Sequence, residues 1–351
     1  MILQRRLAVH RLVGAKPATA TDAVRLLTCV QSQEWAHAFW SLGMRSMANR
    51  LAQVQAEFDS GLFLRTHILR PTWHFVAAED IRWILAAISR RVQQVNSTTY
   101  RREGLDQTLL DRSTELIIEL LRGGRHLTRT ELGQGLASAG IQATGLRLAY
   151  VIMNAELEAV ICSGPIRGAS HTYVLLDERV SPQASRDREL PELARRFVAG
   201  HGPASAADLA RWASLTAGQA GAALAEVSGE LEAVEVDGVR HWFDAAAPEP
   251  AGLDGALLLP LFDEVTLSYP MINFPLAEQH PHSPGTDLFI GSVIVAETNV
   301  GLWRRVVKGQ KVIMDVLLSP TVTAQQRADI AAAAGDLAAF LDKRLELVIR
   351  P

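Results

Sequence analysis

Apolar residues recur at helical spacing through the first hundred positions, broken at short polar intervals. The pattern predicts helices over 4–14, 21–31, 36–45, 50–60 and 78–95. The last has Glu79 and Asp80 in its first turn, where acidic side chains suit the positive end of the helix dipole. Between the last two helices, residues 63–76 are rich in β-branched and aromatic side chains, with Pro71 as a turn residue. Helices followed by a small hairpin are the order of a winged helix, a helix-turn-helix relative.

The order then recurs twice. A periodic helix over 107–123 is followed by a helix opened by Thr128 with Glu131 three residues on, a capping box. A helix over 143–156 comes next, then strands at 159–164 and 172–176 around the glycine-rich segment 164–170. The third copy has a helix over 189–200, an N-cap at Ser205 with Asp208, and a helix over 216–226. Its hairpin, 231–236 and 239–243, turns on Asp237-Gly238, a type I′ signal. After an Ala/Pro/Gly-rich linker at 244–254, the pattern changes. Strands are predicted at 289–296, 301–307, 311–318 and 344–350, a helix at 323–341, and a polar loop at 270–287. The expected fold is α+β: three tandem winged-helix units at 1–105, 106–180 and 181–245, and a mainly antiparallel α+β cap at 255–351.

Composition alters this picture in one respect. The net charge is −3, yet residues 1–130 carry 18 basic against 11 acidic side chains, and all but one of the basic ones are arginine. Arginine suits bidentate contact with phosphate, so nucleic acid is the partner to consider first. The two cysteines, Cys29 and Cys162, lie in patterns that read as apolar helix, which argues against a disulfide framework or zinc finger. No secretory leader is evident, and no run approaches the roughly 20 apolar residues of a membrane span, so a cytoplasmic protein is expected.

Signatures of metal, nucleotide or nucleophile chemistry are missing. HExxH, paired CxxC, Walker and nucleophile-elbow patterns do not occur, and His280-Pro281-His282 lacks a matching ligand. Neither a metal nor a cofactor is implied. Glu79 and Asp80 read as helix-end residues, Trp40, Trp73, Trp212 and Trp303 as core, and Asp263 and Tyr269 as hydrogen-bonding supports of the last sheet. What stands out is Gln31-Ser32-Gln33, where one apolar helix stops and another begins. Amides do not titrate, so they are poor general bases but good holders of a water. A helix would turn residues i and i+2 about 200° apart, whereas an extended turn would let them converge.

Several stretches together resemble the winged-helix DNA-binding family that contains the AlkZ-type alkylpurine DNA glycosylases. They are Gln31-Ser32-Gln33, Arg65-Thr66 with Arg70-Pro71-Thr72-Trp73-His74, and Leu127-Thr128-Arg129-Thr130-Glu131-Leu132. Gly202-Pro203-Ala204-Ser205, Pro260-Leu261-Phe262-Asp263-Glu264 with Tyr269, and Gly301-Leu302-Trp303-Arg304-Arg305 complete the set. The YcaQ-like branch has aspartate at the second motif position, so Gln33 places the chain nearer the AlkZ branch. Glu34-Trp35-Ala36-His37 stands where a turn of the Asp-Pro-Arg type is more common. The resemblance implies a concave DNA-binding surface and a monofunctional glycosylase, with Gln31 and Gln33 as the catalytic pair. The substrate expected is duplex DNA bearing cationic alkylated purines, N7 or N3 adducts and interstrand crosslinks among them, acted on by a monomer at the nucleoid. DNA contacts are expected from Arg65, His67, Arg70, Thr72, His74, Arg304 and Arg305. The alternative is a winged-helix DNA-binding or regulatory protein without catalysis, which has no use for two amides at a helix break.

Overall fold

The first strand begins where the sequence pattern predicts helix. The structure, a computed structural model, describes residues 2–181, 188–269, 274–281 and 291–350. Helix α1 (Ile2–Val9) precedes α2 (Ala20–Leu27), whose N-cap Thr19 accepts from the Asp22 N–H. The helix predicted to run to residue 31 stops at Thr28, where φ is +65°, and strand β1 (Cys29–Gln31) follows. The strand pairs Cys29, Val30 and Gln31 with Val76, Phe75 and His74. Burial of Cys29 and Val30 in that ladder outweighs continuation of the apolar helical period.

Helices α3 (Trp35–Arg45) and α4 (Leu51–Ser60) lead to strands β2 (Phe63–Ile68) and β3 (Thr72–Ala77), giving a sheet of order β1-β3-β2. The long α5 (Ile81–Arg102) connects to α6 (Gln107–Leu121), β4 (Leu127–Thr128), α7 (Arg129–Ser138), α8 (Gly145–Leu157), β5 (Ile161–Ser163) and β6 (Thr172–Leu175). Their sheet has order β4-β6-β5, the same arrangement one copy later. Beyond the short α9 (Leu176–Arg179) come α10 (Glu189–His201), α11 (Ala206–Trp212), α12 (Ala217–Val227), β7 (Glu232–Val236) and β8 (Val239–Phe243). The first strand is here reduced to a single bridge, Ala204 to Trp242. The capping boxes at Thr128 and Ser205 form, and Asp237 and Gly238 both have positive φ, as the I′ turn requires. Cys29 lies in β1 and not in a helix, and Cys162 lies in β5, inside the strand predicted at 159–164; both are free and buried.

The last part begins with β9 (Ala256–Leu259) and the short α13 (Glu264–Leu267). Strands β10 (Gly291–Val295), β11 (Thr298–Lys308) and β12 (Lys311–Leu318), helix α14 (Ala324–Phe340) and β13 (Arg344–Arg350) follow. The sheet order is β13-β12-β11-β10-β9, antiparallel except for the parallel β12–β13 pair. Parts of the predicted 270–287 loop, and residues 289 and 290 of the predicted strand, lie outside the described residues.

Buried apolar side chains form two clusters. One is confined to residues 105–175, and includes Ile117, Leu132, Ile152 and Ile161. The other joins the N-terminal sheet, α10–α12 and the C-terminal sheet through Phe39, Phe75, Phe197, Trp212 and Trp303. Polar pins run through this second core. Arg45 and Asp263 form a fully buried bidentate pair at 2.9 and 2.5 Å. The Tyr269 hydroxyl donates to His201 O at 2.6 Å and accepts from His10 Nε2 at 2.7 Å, with the Arg6 guanidinium 3.5 Å from its ring. Asp263 and Tyr269 therefore do not serve the last sheet, as expected from sequence; they fasten the C-terminal part to α1, α3 and α10. Trp40, Trp212 and Trp303 are core, as predicted, whereas Trp73 stays partly exposed.

Candidate active site

Gln31 is the last residue of β1, which lies at the edge of its sheet. The side chain is buried, and its amide oxygen has no hydrogen-bond partner among the described residues. The Gln31 N–H donates to Glu264 Oε1 at 2.6 Å. One residue on, the Ser32 N–H donates to Trp73 O at 2.8 Å, which carries the extended backbone past the strand end. Gln33 then stands in a bend ahead of α3, so the pair straddles a strand end and not a helix break.

The carbonyls of this segment are held by one side chain. Arg65 Nε donates to Ser32 O at 3.0 Å and Arg65 Nη2 to Gln33 O at 3.3 Å, with the guanidinium 4.2 Å from the Trp73 ring centre. The Arg65 N–H donates to Ser163 Oγ at 2.8 Å, tying β2 to β5. Arg65 is only 5% exposed, and burial lowers its pKa to about 10, so it remains a cation at neutral pH.

Gln33 is partly exposed and lines a cleft of about 400 Å³ between the first and second helix–strand repeats. Trp35, Trp73, His171 and Tyr173 give it aromatic walls; Glu34, Arg65 and Arg129 supply charge. The His171 ring sits 5.0 Å from that of Trp35, edge to face. Burial and the nearby Arg65 push its pKa down to about 3, so the imidazole is neutral. Gln31 is not among the residues that line this cleft.

The residues expected to bind DNA divide in two. His67 and His74 are buried. His67 Nδ1 is paired with the Glu156 carboxylate and its ring packs 4.2 Å from that of Trp73. His74 Nδ1–H donates to Thr72 O at 3.0 Å, and Nε2 accepts from Arg70 Nη2 at 3.1 Å. Burial first, and Arg70 second, hold His74 neutral. With Arg65, these side chains turn inward and support the glutamine segment, so the expected phosphate contacts are not open to them. Arg70 and Thr72 are partly buried beside them. Arg305 is also committed to the protein: Nη2 donates to Ala36 O at 3.0 Å in the first turn of α3, and burial lowers its pKa to about 10. Arg304 is exposed, with Nη2 3.1 Å from Asp315 Oδ2.

Glu264, Trp35 and His171 carry site geometry that sequence reasoning did not assign. Glu264 stood within the quoted Phe262-Asp263-Glu264 stretch, but nothing in the pattern brought it to β1. Among the described residues no three His, Cys, Asp or Glu side chains group as metal ligands. No described helix is long and apolar enough to cross a membrane.

A family model described as DNA glycosylase AlkZ-like matches residues 24–340. An interstrand DNA cross-link repair glycosylase of Streptomyces sahachiroi is 25% identical over 267 residues, covering 71% of each chain. The solved structure of the Streptomyces sahachiroi DNA glycosylase AlkZ superposes with a TM-score of 0.77 at 20% identity. That match covers 99% of this chain and 98% of the other, a likeness of fold.

Proposed function

The chain belongs to the AlkZ-like DNA glycosylase family, and from that premise we propose that it hydrolyses the N-glycosidic bond of cationic N7- or N3-alkylated purines in duplex DNA. Interstrand crosslinks joined through such positions fall in the same chemical class, and the relative from Streptomyces sahachiroi is named for their repair. The observation that carries the reading is the Gln31–Gln33 segment itself. Two non-titrating amides stand at a strand end whose backbone is clamped by Arg65 and Glu264, with Gln33 at the wall of an aromatic cleft.

An alkylated purine is already cationic and leaves without being protonated. Its departure builds oxocarbenium character on the sugar, as in glycoside hydrolysis generally. What remains for the protein is to hold a water against the anomeric carbon and to face the developing positive charge with oxygen dipoles. Gln31 and Gln33 take that role, and the unpartnered Gln31 amide oxygen is the kind of acceptor a water needs. The aromatic wall at Trp35 suits stacking of a purine.

The recurring order helix, strand, helix, helix, strand, strand, with sheets β1-β3-β2 and β4-β6-β5, supports reading residues 1–105, 106–180 and 181–245 as winged helices. Their joint concave face would receive the duplex, and residues 255–351 would close the back of the site. A monomer at the nucleoid suffices, because three modules sit in one chain.

The test is release of base from duplex DNA carrying N7-methylguanine, read as abasic-site formation, for wild type, Gln31→Ala and Gln33→Ala. Wild type should release the base, and each variant should fall by about 10²-fold or more. The wild-type rate should be flat between about pH 6 and 9, because amides have no pKa there. DNA binding without release of any alkylated base would refute the enzyme reading. Full activity in both variants would refute the site.

A further inference from the structure

We infer that Glu264 is the positioning residue of the glutamine motif: its carboxyl group, reaching from the C-terminal part, fixes where Gln31 stands. The inference rests on the reading that Gln31 acts on the substrate water. β1 is an edge strand, so the Gln31 N–H that does not face β3 needs a partner from outside the sheet. Glu264 Oε1 is that partner at 2.6 Å. The carboxyl has no freedom to give way. Its Oε2 accepts from Trp212 Nε1 and from Ser268 Oγ, both at 3.1 Å, and the side chain is fully buried.

The backbone carrying Glu264 is equally fixed. Asp263, one residue earlier, accepts from both terminal nitrogens of Arg45 and caps the Val265 N–H at 3.0 Å. A chain of buried bonds thus runs from α3 through Asp263 and Glu264 to the N–H of Gln31, while Arg65 takes the carbonyls of Ser32 and Gln33. Glu264 holds the donor side of the segment and Arg65 the acceptor side. No arginine or lysine forms an ion pair with Glu264 among the described residues; Arg70, Asp263, Cys29 and Tyr269 are charged or titratable groups near it, and His201 meets its partner Ser268 Oγ. A carboxyl buried without a salt bridge is costly, and here one oxygen goes to the motif while Trp212 and Ser268 satisfy the other.

Glu264→Met keeps the volume and removes the acceptor. Trp212→Phe removes a support of Oε2 and leaves the Gln31 bond. In the Trp212→Phe background, Glu264→Gln matches all its neighbours in one orientation, carbonyl to the Gln31 N–H and amide to Ser268 Oγ. The full chain is used throughout, with single-turnover release of N7-methylguanine, duplex affinity, thermal melting and the Gln31 amide proton shift as readouts.

Glu264→Met should lose about 30-fold or more in the saturated rate, with affinity within about twofold. Its Gln31 amide proton should move upfield. Trp212→Phe and Trp212→Phe/Glu264→Gln should stay within about threefold of wild type, and Gln31→Ala/Glu264→Met should be no slower than Gln31→Ala. A folded Glu264→Met with the wild-type rate while Gln31→Ala is slow would overturn this inference alone. Additive losses in the Gln31→Ala/Glu264→Met variant would do the same, as would a folded Trp212→Phe/Glu264→Gln as slow as Glu264→Met. Gln31→Ala as fast as wild type would instead overturn the reading of the motif, and this inference with it.

Discussion

Arg65→Lys separates a residue that builds the site from one that grips DNA. The guanidinium makes two bonds to backbone carbonyls, at 3.0 Å to Ser32 and 3.3 Å to Gln33, and lies over Trp73. Hydrogen bonds from a charged donor contribute about 1.5–3 kcal/mol each, the longer one less. The contact with the indole adds about 1 kcal/mol. A lysine keeps the charge and one bond but loses the fork, so roughly 2–3 kcal/mol of stability should go. The lost bond frees the Gln33 carbonyl, and on the proposed function misplacement of that group by about 1 Å costs about 10²-fold in rate. Urea unfolding should register the first effect, and single-turnover release of N7-methylguanine at saturating protein the second. Duplex affinity should be unchanged, since Arg65 is 5% exposed and presents no edge to a phosphate. An unchanged saturated rate with weakened binding would refute this and return Arg65 to the phosphates.

Three further outcomes follow from the packing and the titrating groups. His10, His74 and His201 are fully buried with lowered pKa values, His201 to about 3, so each contributes stability present above pH 6.5 and lost as pH falls toward the folded value. Glu264, with a raised pKa, acts in the opposite sense but is outnumbered by the buried imidazoles, so stability should fall as pH drops from 7.5 to 5.5 in urea titrations; a flat profile would contradict buried neutral imidazoles. In Gly200→Ala the new Cβ would stand 2.2 Å from Leu26 O, backbone against backbone, so α10 must part from α2 at a cost of about 3 kcal/mol; a change under about 1 kcal/mol would contradict that close approach. Arg304→Ala should alter stability by no more than about 0.5 kcal/mol, since its partner Asp315 also holds Arg350, yet lower duplex affinity and the salt slope by about one phosphate contact.

The repeating order of elements was legible in sequence because each copy carries its own local signals. Thr128 with Glu131, Ser205 with Asp208, and Asp237-Gly238 are decided within four residues, and all three form. The site was legible only as a place. Residues 21–31 have a continuous helical period, and the break at Thr28 depends on a ladder to β3, some forty-five residues away. Charge misled in the same manner. Arg65, His67, Arg70 and His74, spaced among apolar neighbours, read as one polar face of a ribbon, but Arg65 and His67 meet Ser32 and Glu156 from elsewhere in the chain, and Arg70 and His74 meet each other. Which side of a hairpin faces water is a tertiary fact, and alternation alone does not contain it.

The charges around the cleft bear on how a damaged base would be told from a normal one. Glu34 is the acidic residue among the cleft's lining, set against Arg65 and Arg129, and His171 is held neutral by burial. A wall of that charge does not attract a cationic purine. On the proposed function, selectivity then arises in the chemical step. Undamaged purines can enter and leave unchanged, because amides give no proton to a neutral leaving group, whereas an N7-alkylated purine needs none. Affinity for an N7-methylguanine duplex and for its unmethylated counterpart should therefore agree within about threefold, while base-release rates differ by more than about 10³-fold. Competition binding at fixed salt, using Gln31→Ala/Gln33→Ala to prevent turnover, measures the first quantity. A preference of about 10²-fold for the methylated duplex in that variant would locate discrimination in binding, and would require cation recognition that Glu34 and the aromatic walls supply in spite of the two arginines.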